Sequence, residues 1–268
     1  MRIDDPRPAA VAGTFYPRDP GELRELVDRF LAEAAPASGR QPGPPPRALV
    51  APHAGYVYSG PVAASAFGTL GPAAGKIRRV VIAGPSHFVA VDGLALPSVG
   101  AFATPLGVVP LAVGVAAALA DLPQVVVDDR AHAREHSLEV ELPFLQRTLG
   151  AFELVPLAVG EASAAEVADV FARLEGEGET LLVVSTDLSH YLDYETAARR
   201  DAATSAAVLA LDEERLRPED ACGRAPLAGL LRHARAHGWH ARLLDRRSSG
   251  DTAGPRDRVV GYGAYAFG

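Results

Sequence analysis

Four side chains that could take part in acid–base or metal chemistry each follow a short apolar run. His53 and His87 come after the first two of these runs, and Asp187 and His190 come after a later one. Imidazole is the commonest protein ligand for transition metals, and it also exchanges protons near neutral pH. Together these groups could bind a metal ion, move a proton or do both.

The surrounding pattern indicates how these residues are positioned. Apolar runs that alternate with helical periodicity predict an α/β fold, with a central, mostly parallel or mixed sheet flanked by helices. Strands are predicted at residues 48–51, 79–83, 124–127, 154–159, 180–185, 242–244 and 259–266. Helices are predicted at residues 21–35, 60–70, 111–122, 137–149, 164–174, 194–211 and 225–237. Because ligand crevices of open α/β sheets lie beyond the carboxyl ends of the strands, the loops carrying these four residues are expected to share one site.

The only cysteine, Cys222, lies in the polar turn ACGRAP before a predicted helix. A single cysteine excludes an intrachain disulfide and a zinc site made of cysteines alone. A helix N-terminus with Arg224 beside it would lower the pKa of the thiol and favour a thiolate ligand. The alternative is a small, buried apolar residue, since free cysteine is among the most buried residue types.

Other histidines have several interpretations. His132 and His136 have the spacing of a helical metal pair, but the HEXXH signature is absent. His136 and Glu139 are interpreted either as groups that support a metal ligand or as structural residues. Three further histidines are expected on the solvated face of a basic surface helix: His233, His237 and His240.

Composition excludes several classes of protein. A net charge of −7 without a basic block argues against nucleic-acid binding. Residues 93–120 are uncharged, but their prolines and glycines break the run, so a membrane span is not expected. With no secretory signal at the N-terminus and no disulfides, the cytoplasm is the expected location. The absence of Walker and G-x-G-x-x-G motifs leaves no basis for a nucleotide cofactor. The proline- and glycine-rich segment Pro36–Pro46 is predicted to be a mobile loop within one domain.

Several motifs occur in a fixed order along the chain: AGTFYP, APHAGYVYSG, GPSHF, EHSLEVELPFL, STDLSHY, ACGRAP and VVGYGAYAF. Together they resemble the Memo family, whose prokaryotic members are called AmmeMemoRadiSam system protein B. The resemblance covers nearly the whole chain and implies a single Memo-like domain over residues 1–268. It also implies a fold similar to that of the LigB-type class III extradiol dioxygenases, which are non-haem iron enzymes.

The resemblance assigns roles by motif. His53 and His87 match the two metal-ligand histidines of the dioxygenases, and Cys222 falls where those enzymes place a glutamate ligand. His190 matches the dioxygenase general base. The remaining residues implied for the same vestibule are Asp187, as a further catalytic group, and Tyr58, Glu139 and His136 as its lining.

The implied cofactor is a transition metal, either iron or copper, with zinc as an alternative. A thiolate in place of the carboxylate softens the site and should shift its preference from Fe(II) towards copper or zinc. Three functions follow, in order of preference: a redox-active metal-binding protein, a non-enzymatic peptide- or ligand-binding module, and an extradiol-type dioxygenase. If the chain is an enzyme, it should be a metal-dependent oxidoreductase. The expected partners are a small molecule or peptide, with a functional link to a radical-SAM protein.

Overall fold

The structure, a computed structural model, describes residues 5–34, 45–176 and 178–268. Most of the loop predicted at Pro36–Pro46 lies outside these described residues. Among the described residues, no helix is both long enough and apolar enough to cross a membrane.

The elements alternate between helices and strands along most of the chain. The helices are α1 (Pro20–Ala34), α2 (Tyr56–Phe67), α3 (Val115–Ala118), α4 (Asp129–Ala133), α5 (Leu142–Leu149), α6 (Ala164–Leu174), α7 (Tyr194–Leu209), α8 (Arg224–Ala236) and α9 (Ser249–Thr252). The strands are β1 (Ala48–Ala51), β2 (Arg79–Pro85), β3 (Leu94–Leu96), β4 (Ala101–Thr104), β5 (Gly107–Pro110), β6 (Val125–Val127), β7 (Glu153–Val159), β8 (Thr180–Ser185), β9 (His190–Leu192), β10 (Ala241–Ser248) and β11 (Val259–Phe267).

Within the described residues, nine of the strands form one mixed sheet. Its order is β10-β11-β1-β8-β2-β7-β3-β6, and β9 pairs with β11. The four central strands β1, β8, β2 and β7 run parallel, whereas β11 and β3 are antiparallel to their neighbours β1 and β7. The predicted α/β fold with a mixed, centrally parallel sheet is therefore confirmed.

The central strands are covered on both faces of the sheet, and nearly all of their residues are buried rather than alternate ones only. In β8, Leu181 and Val183 join one apolar cluster, which includes side chains of α1, α2 and α5. Leu182 and Val184 join a second cluster, which includes side chains of α6 and α8. The ends of the central strands are consequently the part of the sheet at which a site can form.

Three predicted elements differ from the structure. The alanine-rich helix predicted at residues 111–122 is reduced to the single turn Val115–Ala118, because Gly114 before it has a φ of +83°. The helix predicted from residue 137 begins only at Leu142, since residues 137–141 form turns. The helix α8 does not present His233 to solvent as predicted, because its side chain packs against Phe171 and Trp239.

Candidate metal centre

The order β1-β8-β2 places the carboxyl ends of three parallel strands side by side. Ala51 lies opposite Ser185 across the β1–β8 pair, and β2 pairs with the other edge of β8. The loops that follow these strands therefore meet, and the rings of His53 and His87 lie 5.3 Å apart between centroids. The structure brings together the loops that the sequence predicts to share a crevice.

The ring and backbone of His53 are both held in place. Its backbone N–H donates to Oδ1 of Asp187 at 2.9 Å, and its Nδ1 lies 2.8 Å from Oγ of Ser185. Oγ of Ser185 also lies 2.6 Å from the carbonyl oxygen of Ser137 and 2.8 Å from Oε1 of Glu141. Complete burial raises the pKa of Glu141 well above its ordinary range, and the hydrogen bond from Ser185 opposes this shift.

This network determines which nitrogen of His53 is free. Oγ of Ser185 has one proton to donate and two acceptors within reach, the carbonyl of Ser137 and Oε1 of Glu141, so it accepts from Nδ1–H of His53. Burial also lowers the pKa of His53, so the imidazole is neutral. The lone pair of its Nε2 is left facing the vestibule, where a metal ion could bind it.

Glu135 orients the other two histidines of the site. Its Oε2 accepts the backbone N–H of His87 at 2.6 Å, and its Oε1 lies 2.9 Å from Nδ1 of the same residue. Oε1 also accepts the backbone N–H groups of His136 and Ser137, each at 2.9 Å. Although burial opposes ionisation, the hydrogen bonds from His87 and Ser137 lower the pKa of Glu135 to about 2. An ionised carboxylate on Nδ1 leaves Nε2 of His87 available as a ligand, as is usual for metal-binding histidines.

His136 completes a cluster of three imidazoles. Its ring stacks on His87 with centroids 4.8 Å apart and meets His53 edge-on at 5.5 Å, while Phe15 packs against it at 4.7 Å. The candidate ligand atoms of the three histidines lie within 4.8 Å of one another. Since burial lowers the pKa of His136, it is in the neutral form that metal ligation requires. The cluster can therefore hold a transition-metal ion.

The thiol of Cys222 lies beside this cluster. Its Sγ is 3.4 Å from Nε2 of His53 and accepts the backbone N–H of Asp187 at 3.3 Å. The turn approaches β8 so closely that a Cβ on Gly223 would lie 2.7 Å from the Thr186 side chain, so only glycine fits there. The expected low thiol pKa is wrong: burial and then the charge of Asp187 raise the pKa of Cys222 to about 12. These two effects outweigh the start of α8 and the neighbouring arginine.

Two groups near the cluster can exchange protons. Burial raises the pKa of Asp187 to about 7, so this carboxyl changes charge near neutral pH. His190 is half-buried at the start of β9, and burial lowers its pKa, which leaves a neutral imidazole. The next residue, Tyr191, has a φ of +61°, a strained conformation that is often found at functional sites.

Tyr58 and Glu139 have different environments. Tyr58 lies in the first turn of α2 and is 40% exposed. Glu139 is fully buried, and its carboxylate binds the N-terminal segment: it pairs with Arg7 at 2.5 Å and accepts from the backbone of Val11 and the hydroxyl of Tyr16. Its geometry therefore corresponds to the structural interpretation.

His132 does not pair with His136, since α4 ends at Ala133, between the two residues. Its Nε2 lies 2.9 Å from the carbonyl oxygen of Ala95, and burial lowers its pKa to about 4. His132 is thus a buried residue that packs α4 against β3.

Three supporting residues were not identified from the sequence: Glu135, Ser185 and Glu141. A signal existed for Glu135, since it immediately precedes His136 and metal-ligating histidines need a hydrogen-bond acceptor. Nothing in the sequence marks Ser185 or Glu141, because their contacts to His53 depend on the order of the strands.

The comparisons with known proteins cover most of the chain. The family model described as Memo-like protein matches residues 7–266. A MEMO1 family protein of Methanopyrus kandleri is 38% identical over 97% of this chain and 98% of its own length. Another from Thermotoga maritima is 37% identical over 96% of this chain and 97% of its own length. A solved structure of an uncharacterized protein of Escherichia coli K12 has a TM-score of 0.52 and 16% identity, covers 80% of this chain and 98% of its own, and shows a shared fold.

Proposed function

The chain belongs to the Memo family, and on that premise we propose that its vestibule binds one redox-active transition-metal ion. His53 and His87 would provide two imidazole ligands, and the Cys222 thiolate and His136 would complete the site. The observation that carries the proposal is the convergence of three histidine ligand atoms within 4.8 Å of one another. Hydrogen bonds on the Nδ1 atoms of His53 and His87 support it further, because they leave each Nε2 available.

The donor set supports copper over iron. Imidazole suits copper, zinc and iron alike, whereas a thiol adds a soft ligand that favours copper or zinc. The distance of 3.4 Å between Sγ of Cys222 and Nε2 of His53 is close to that expected for two ligands on one ion. Bound copper or iron would supply one-electron redox chemistry at this position.

Side chains of the protein would hold and transfer protons around the bound ion. Cys222 holds its proton in the metal-free protein because burial raises its pKa to about 12. Asp187, whose pKa burial raises to about 7, donates its backbone N–H to this sulfur, and its carboxylate would be the acceptor of the thiol proton. His190, with its pKa lowered by burial, would accept a proton from a bound small molecule or peptide.

A Co²⁺ titration tests the proposal directly. Co²⁺ bound by a thiolate gives an intense near-ultraviolet charge-transfer absorption, so the vestibule can be followed even if other sites bind cobalt. We expect one equivalent of this absorption in the parent chain, none in Cys222→Ser, and at least about a tenfold weaker affinity in His53→Ala and His87→Ala.

The matched control is His240→Gln, which alters an exposed histidine and should titrate like the parent chain. Copper content after anaerobic loading should follow the same order among the variants. If the parent chain gives no thiolate absorption, or if His53→Ala and His240→Gln titrate alike, the proposal is wrong.

A dioxygenase-type reaction is a second candidate, supported by the imidazole of His190, whose pKa is lowered by burial and by His87. Oxygen consumption by the Fe(II)-loaded chain with a panel of catechols tests it. Turnover that disappears in His190→Gln while iron content stays constant would support this reaction, whereas an absence of turnover would rule it out.

A further inference from the structure

A second cluster of side chains that could bind a metal lies at the opposite end of the parallel strands from the vestibule. Glu175 follows α6 and precedes β8, so it lies towards the amino end of that strand. His233 lies in the last turn of α8, and His237 is the residue that immediately follows this helix. The candidate ligand atoms of these three residues lie within 4.8 Å of one another. The vestibule lies beyond the carboxyl ends of the parallel strands, so the length of these strands separates the two clusters.

Both imidazoles converge on one carboxylate oxygen. Nε2 of His233 lies 3.0 Å from Oε2 of Glu175, and Nε2 of His237 lies 3.7 Å from the same oxygen. Two ligands bound tetrahedrally to Zn²⁺ at its usual bond lengths are about 3.4 Å apart. The two distances lie on either side of that value, so a small shift of each ring would complete the geometry.

The orientation of His237 suits a cation better than a hydrogen bond. Its Nδ1 lies 2.8 Å from the carbonyl oxygen of His233, which can only accept, so Nδ1 carries a proton. The proton on Nδ1 directs the other ring nitrogen, Nε2, towards Oε2 of Glu175, which offers lone pairs. Two acceptors that face each other are stabilised by a cation between them.

The remaining contacts fix the carboxylate and ring positions. Arg47 donates to Oε1 of Glu175 at 3.2 Å, which leaves Oε2 to the histidines. Trp239 packs edge-on against His233 with centroids 5.2 Å apart. His233 is buried, whereas the side chain of His237 is 42% exposed, so the site is rigid on one side and open to solvent on the other.

We propose that Glu175, His233 and His237 form a second divalent-metal site, suited to Zn²⁺, with a water molecule as the fourth ligand. Two imidazoles and one carboxylate are a common zinc donor set, and two histidines at i, i+4 on one helix present their rings to the same ion. A metal ion bound at this site would link the end of α6 to the end of α8. The site is independent of the metal centre proposed in the vestibule.

The test uses an untagged, chelator-treated His53→Ala/His87→Ala double variant, in which two of the three vestibule histidines are removed. We expect it to bind one equivalent of Zn²⁺ by calorimetry. Its melting temperature should rise by roughly 5–10 °C when free Zn²⁺ is about 100 times the dissociation constant. Adding His237→Gln should weaken binding at least about tenfold and abolish most of that rise, and Glu175→Gln should do the same. The matched control His240→Gln changes a nearby exposed histidine and should bind normally.

Equal zinc affinities in the His237→Gln and His240→Gln backgrounds, or no stoichiometric binding, would overturn the second site. If the double variant does not fold, Co²⁺ spectra of the otherwise unaltered chain decide the question. The second site should add cobalt d–d absorption without thiolate charge transfer, and His237→Gln should remove only that component. A missing thiolate band would instead count against the vestibule proposal alone.

Discussion

Glu135→Gln is the substitution that most directly tests how the vestibule is held together. The carboxylate accepts N–H groups of His87, His136 and Ser137, and its side chain is about 1% exposed. Glutamine keeps the shape but replaces one acceptor oxygen with an NH₂ group. That group would face N–H donors, so at least one buried hydrogen bond would be replaced by a repulsive contact.

The magnitude follows from the pKa of the carboxyl. The ordinary value is 4.5, and the interactions of the folded chain lower it to about 2. Since one pKa unit corresponds to roughly 1.4 kcal/mol, the ionised form contributes about 3 kcal/mol to the free energy of unfolding. Because the folded value is the lower one, this contribution is complete above pH 4.5 and is lost as the pH falls towards 2.

Urea unfolding of Glu135→Gln and of the parent chain at neutral pH should differ by about 3 kcal/mol. The difference should shrink when both are measured at about pH 3, where part of the parent carboxyl is protonated. Metal affinity should fall about 10- to 100-fold, because His87 loses the partner that orients its ring. Glu161→Gln, which changes an exposed glutamate, is the matched control.

This role of Glu135 is contradicted if Glu135→Gln is no less stable than Glu161→Gln, or if its stability deficit is the same at both pH values. Unchanged metal affinity together with the expected loss of stability would show that Glu135 stabilises the loop but does not orient the ligand.

Three further substitutions have defined outcomes. Asp187→Asn should become more stable relative to the parent chain as the pH rises from about 4 to about 7. The folded pKa of the Asp187 carboxyl is raised to about 7, so the parent chain loses stability over that range. Urea unfolding at about pH 5 and about pH 8 measures this difference. Arg7→Met should cost about 3–5 kcal/mol in thermal or urea unfolding, since it leaves Glu139 buried without its partner. Gly223→Ala should weaken cobalt binding and increase alkylation of the cysteine, because a Cβ there lies 2.7 Å from the Thr186 side chain. Gly68→Ala, where a Cβ meets nothing within 4 Å, should change neither quantity.

The sequence predicts those elements whose local pattern and tertiary environment agree. The buried strand Thr180–Ser185 and the helix Ala164–Leu174 begin and end where the sequence predicts. The latter carries a capping box between Ser163 and Glu166, a local interaction that marks its start. The alanine-rich stretch near Val115 has helix-forming residues, but Gly114 interrupts it with a φ of +83° and only one helical turn forms there.

The position of the site could also be predicted, but its composition could not. Loops after apolar strands indicate which side of the sheet carries the chemistry, because that rule depends only on strand direction. The contact of Ser185 with His53 requires β8 to lie next to β1, although the two strands are more than 100 residues apart in the chain. Local pattern carries no information about such pairing, so Ser185 and Glu141 could not be identified before the strand order was known.

Cys222 shows how tertiary context reverses a local inference. A helix N-terminus and a neighbouring arginine stabilise a thiolate only when the sulfur is solvated enough for its ionisation to be favourable. Here burial and the charge of Asp187 raise the thiol pKa to about 12, so the metal-free sulfur retains its proton at neutral pH. A metal ion that binds this sulfur must displace that proton. Metal affinity of the parent chain should therefore rise with pH more steeply than that of Cys222→Ser, and equal slopes in cobalt titrations would show that the thiol is not a ligand.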